Sequence, residues 1–71
     1  MSNKEKIIVA LFAFAQEKEF HIQQTGTSYG DVLLFICTKG DKKAYVGANA
    51  EDPNIDLVIQ NCKDYITREL K

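Results

Sequence analysis

Val32-Leu33-Leu34-Phe35-Ile36-Cys37 is the stretch that decides the fold. It is apolar on both faces and rich in β-branched and aromatic residues, so it reads as the central strand of a sheet. Lys39-Gly40-Asp41-Lys42 follows with a hairpin signal, Gly40 suiting the first central position of a type II′ turn. Ala44-Tyr45-Val46 is then the third strand. On the other side, Tyr29-Gly30 marks a second turn, preceded by Phe20 and Ile22 alternating with His21, Gln23 and Thr25. That alternation predicts the first, half-buried strand.

Two helices enclose this meander. Ser2-Asn3-Lys4-Glu5 matches a capping box, with Ser2 as N-cap. Ile7, Ile8, Leu11, Phe12, Phe14 and Ala15 form an apolar helical face behind it, predicting a helix over residues 3–18. At the other end, Asp52-Pro53 reads as an N-cap and first helical residue. Ile55, Val58, Ile59, Cys62, Tyr65, Ile66 and Leu70 then recur at helical spacing. The expected fold is α+β, in the order α-β-β-β-α. Its sheet is a three-stranded antiparallel meander with both helices packed on one face. Residues 1–71 form one domain.

The turns predict the register. A Gly40-Asp41 centre sets Cys37 against Ala44, Phe35 against Val46 and Ile36 against Tyr45. A Tyr29-Gly30 centre sets Ile22 against Cys37 and Gln23 against Ile36. Both assignments turn Phe20, Ile22, Leu33, Phe35, Cys37, Ala44 and Val46 to one face. The opposite face receives His21, Gln23, Thr25, Thr27, Val32, Leu34, Ile36, Thr38, Lys43 and Tyr45. A one-residue slip would exchange the sets on the central strand. Short connections hold both helices on one side, so the second face should be wet and polar on its central strand. It instead carries Val32, Leu34, Ile36 and Tyr45, rimmed by His21, Gln23, Thr25 and Lys43. Contiguous apolar surface of this kind marks a contact site.

Composition narrows the function classes. At 71 residues the chain supports only a marginal core, which raises the prior for self-association. A formal net charge of −1 disfavours nucleic acid and anionic membranes as partners. Cys37 and Cys62 lie in apolar runs with no CxxC spacing, so they read as buried free thiols of a reducing compartment, the cytoplasm. Lys4 and Lys6 before Ile7-Ile8-Val9-Ala10-Leu11-Phe12, with Ala13-Phe14-Ala15 following, have a signal-peptide flavour. The apolar run is too short for that reading, and no membrane span is expected.

Catalytic chemistry finds little to use. His21, the one histidine, shares a hairpin with Ser28 and Asp31, yet the register puts it too far along the strand for a triad. One histidine and two separated cysteines make no tetrahedral metal set. Glu51-Asp52-Pro53-Asn54-Ile55-Asp56 lacks the alternating oxygens and glycine of a calcium loop and reads as charge at a helix start. Thr25-Gly26-Thr27-Ser28-Tyr29-Gly30 leads into a strand, whereas a phosphate cradle needs a helix N-terminus; Gly26 suits a bulge. No enzyme, cofactor or metal is expected.

The order α-β-β-β-α resembles the layout of double-stranded RNA-binding domains. That family grips phosphates through lysines at the start of its second helix. The matching segment here is Glu51-Asp52-Pro53-Asn54-Ile55-Asp56, of opposite sign, and Tyr29-Gly30-Asp31 stands where the family has a loop histidine. The resemblance therefore implies the layout and carries over no functional residue. Lys39, Lys42 and Lys43 leave room for a weak nucleic-acid binder as one alternative, and a phage- or mobile-element-type inhibitor or adaptor of a host protein is another. The primary expectation is a small non-enzymatic interaction or regulatory domain. Its partner is a protein, a homodimer first of all, met through Val32, Leu34, Ile36, Tyr45, His21, Gln23 and Lys43.

Overall fold

A computed structural model describes residues 2–25 and 30–71. Its elements run α1 (Asn3–Lys18), β1 (His21–Gln24), β2 (Val32–Lys39), β3 (Lys42–Asn49) and α2 (Ile55–Glu69). The strands form one antiparallel sheet in the order β1-β2-β3. This is the predicted α+β fold.

The capping box sets the start of α1. The Glu5 amide donates to Ser2 Oγ at 3.2 Å, and the Ser2 hydroxyl reaches the Glu5 carboxylate at 3.3 Å. The helix ends on Glu19, whose φ of 59° is left-handed and lets Phe20 N–H return to the Ala15 carbonyl at 3.0 Å. The chain thus passes from helix to strand within two residues.

The register is the one the turns predict: Ile22 pairs with Cys37 and Gln23 with Ile36, while Cys37 pairs with Ala44, Phe35 with Val46 and Ile36 with Tyr45. Gly40 has φ +61° while Asp41 stays on the negative side, the combination of a type II′ turn. Tyr29 and the suggested Gly26 bulge lie outside the described residues, as do Thr27 and Ser28. β2 and β3 are longer than predicted, whereas β1 is shorter, starting after Phe20 and ending before Thr25. β3 continues through Gly47, Ala48 and Asn49, and Ala50 N–H still reaches the Asp31 carbonyl at 2.8 Å.

Both helices cover the inner face, where Leu33, Phe35, Cys37, Ala44, Val46 and Ala48 meet Ile7, Leu11, Ile55, Cys62, Ile66 and Leu70. Ala44, Ala48 and Ala50 present small side chains, which lets α2 settle closely on β3. The start of α1 is tied to the far end of that strand by Asn3 Nδ2, which donates to the Ala50 carbonyl at 3.0 Å.

Two expectations need correcting. Helix α2 begins at Ile55, with Asn54 as its N-cap, and not at Asp52-Pro53. The Asp52 carboxylate is engaged earlier, accepting from Asn54 N–H at 2.9 Å in an Asx turn, so the chain bends once more before the helix starts. Phe12 has the spacing of the buried face but is 39% exposed, meeting Phe35 edge-on at 6.5 Å. β1 is only four residues long and cannot cover that flank of α1. Phe14 and Phe20 are likewise only half-buried, stacked edge-to-face at 5.8 Å.

Candidate interaction surface

The uncovered side of the sheet follows from the pleat. Successive residues of β2 alternate between the core and the outer face. Leu33, Phe35 and Cys37 are buried, and Val32, Leu34, Ile36 and Thr38 between them are half-buried. No helix lies over this second set. Tyr45, opposite Ile36 on β3, is 65% exposed and is the most open large apolar side chain among the described residues. His21 and Gln23 on β1 and Lys43 on β3 are exposed around it.

Gly47 gives the face relief. It stands opposite Leu34, and a Cβ built there would sit 3.3 Å from Leu34 Cδ2. Leu34 therefore leans into the space that a side chain would fill. Beside it opens a hollow of about 310 Å³, bounded by Thr25, Leu34, Ile36, Tyr45 and Gly47. A projecting ring and a recess thus lie two residues apart on one strand. Sequence reasoning missed Gly47 by ending β3 at Val46. The available signal was a glycine continuing the strand's alternation, which often marks a close approach.

Charge is unevenly spread along β3. Lys42 and Lys43 open it, and Glu51 lies just past its end. Glu51 adjoins Asp31, which in turn pairs with Lys4 Nζ at 3.5 Å. The hydrogen bond from Glu51 holds the Asp31 carboxyl below its usual range, aided by Lys4. Glu51 is raised for the complementary reasons, as donor in that bond and through repulsion by Asp31. One end of the strand is cationic and the other anionic.

The remaining candidates are dispersed. His21 pairs with Thr38, seven positions along β2 from Asp31, or about 23 Å at strand rise, so the two cannot share a hydrogen bond. Cys37 and Cys62 are free and buried. Desolvation, with Cys62 nearby, pushes the Cys37 thiol up to about 11, and burial also raises Cys62. Neither is poised as a nucleophile. Among the described residues, no group of three or more His, Cys, Asp or Glu side chains is placed to hold a metal ion, and no helix is long and apolar enough to cross a membrane.

Two other apolar surfaces border the molecule. Val9, 56% exposed, and Phe12 flank a groove between α1 and β1, with Phe20 and Ile22 opposite. At the free edge of β3, Tyr45, Gly47 and Asn49 face Val58, Asn61 and Tyr65 of α2. There the Cys62 thiol approaches the Gly47 carbonyl at 3.8 Å, which places α2 against that edge. In comparisons with known proteins, no family model matches the chain, and neither a curated protein nor a solved structure does.

Proposed function

We propose that this chain is a small, non-enzymatic protein-interaction domain whose working surface is the uncovered face of the sheet. One observation carries the reading. The central strand presents Val32, Leu34 and Ile36 on the face that no helix covers, with Tyr45 projecting beside them. Burial of such surface contributes roughly 25 cal/mol per Å² before association costs are subtracted. The deep, high-pKa thiols and the isolated His21 support a binding role over a catalytic one.

Ile36→Asp tests the proposal. It places a carboxylate in the middle of the face while leaving the Phe35 side of the strand untouched. Wild-type and variant protein, immobilised at equal density, are exposed to the chain itself and to cell extract. The expected result is a bound protein, a second copy or another chain, that the variant fails to retain while keeping its far-UV circular dichroism. Equal recovery on both would sink the reading. Salt-dependent retention of RNA or DNA that is lost on changing Lys39, Lys42 and Lys43 would replace it with nucleic-acid binding.

A further inference from the structure

The outer face carries a shape that fits its own copy. Tyr45 projects from β3, and the hollow it bounds together with Leu34, Ile36 and Gly47 opens further along the same strand, beside the Leu34 side chain that leans toward Gly47. A two-fold axis in the plane of contact, crossing β3 at right angles near Val46, would turn one strand antiparallel over the other. Each Tyr45 then stands over the Gly47 of the other copy. Such mutual exchange of one knob and one hole is the signature of an isologous interface. The same axis sets Lys43 over Asn49 of the other copy, with the turn that holds Asp41 and Lys42 beside the end that holds Glu51. Each copy's Leu34, leaning over Gly47, lies beside the inserted ring.

From these features we infer that the occupant of the open sheet face is a second copy of this chain, docked face to face with Tyr45 of each seated over Gly47 of the other. The inference rests on the interaction reading above and specifies its partner. Two eight-residue strands and one of four, spaced about 4.8 Å apart, present roughly 320 Å² per copy. That is well below the roughly 800 Å² per partner of a standard stable complex. The dimer is therefore weak and reversible, and it dissociates on dilution.

Light scattering across a dilution series, from millimolar to sub-micromolar protein, reads this directly. Gly47→Val fills the hollow with a good strand former, and Tyr45→Thr removes the knob. Each is expected to raise the dimer dissociation constant at least tenfold, with unchanged circular dichroism. Mixed together, the two variants should regain much of the lost affinity. Their heterodimer keeps one Tyr45 over one Gly47, and at its second site the smaller introduced threonine meets the bulkier introduced valine. A loss of fold in either variant could not be repaired by mixing. Wild-type protein that is monomeric throughout overturns the inference, as does a Gly47→Val dimer of wild-type affinity or a mixture no tighter than its components. Should the wild type be monomeric while Ile36→Asp still abolishes capture of another protein, the face stands as an interaction surface and only the second copy is excluded.

Discussion

The two faces of β2 are built from one unbroken apolar run, and they have opposite fates. Leu33, Phe35 and Cys37 are between 0 and 4% exposed, beneath two helices. Val32, Leu34 and Ile36, their immediate neighbours, reach the side with no helix above it. Hydrophobicity along the strand cannot distinguish the sets, because both are equally apolar. Connection length does. Glu19 carries the chain from α1 into β1, and a brief Asx turn carries β3 into α2, which confines both helices to one side. The lesson is that an apolar strand says how much surface wants covering, while topology says which half the chain covers itself.

Truncating adjacent residues on opposite faces separates the two most strongly. Phe35→Ala should cost about 3–5 kcal/mol, enough to unfold much of so small a domain. Ile36→Ala should cost about 1 kcal/mol or less, measured on monomeric protein by urea denaturation. Similar losses at the two positions would mean that the outer face is as structurally committed as the inner one.

A smaller effect separates Cys37 from Thr38. The folded state raises the Cys37 thiol from 9.0 to about 11, so it keeps a proton that the unfolded chain releases. Stability attributable to this group is present below pH 9 and is lost as pH rises toward 11, by an amount of order 2 kcal/mol. Cys37→Ala should flatten that part of the profile. A thiol moved to the outer face by Thr38→Cys should react with a disulfide reagent in the native protein at pH 8, while Cys37 stays protected. The smallest expected change is at the most exposed large apolar side chain of the outer face: Tyr45→Thr should leave the stability of the monomer in urea within about 0.5 kcal/mol of wild type.

What could be read from the sequence was what local chemistry decides. The Ser2–Glu5 cap, the Gly40 turn and the strand pairings depend on residues near one another, and each is present as expected. The misses have distant causes. Gly47, Ala48 and Asn49 are poor strand formers, and β3 runs through them because α2 packs on the alanines of its inner face. Asp52 and Pro53 have ideal chemistry for starting a helix, yet Ile55 must reach the core, and the chain bends once more to bring it there. Phe12 has the right spacing for burial, but four residues of β1 do not extend far enough to cover it. The apolar set on the candidate surface was legible from the register. Its relief at Gly47 was not, because it appears only once β3 is known to continue.

The bond from Asn3 to the Ala50 carbonyl spans 47 residues of chain. Closing a loop of that length carries an entropy cost of about 3 kcal/mol beyond the constant term, against which one hydrogen bond returns roughly 1 kcal/mol. Local hairpin contacts therefore have the kinetic advantage, and α1 is the element that must wait. During synthesis α1 leaves the ribosome well before β3 and α2 exist to receive it, with Ile7 and Leu11 still unsheltered. Its apolar side stays uncovered until α2 supplies Ile66 and Leu70.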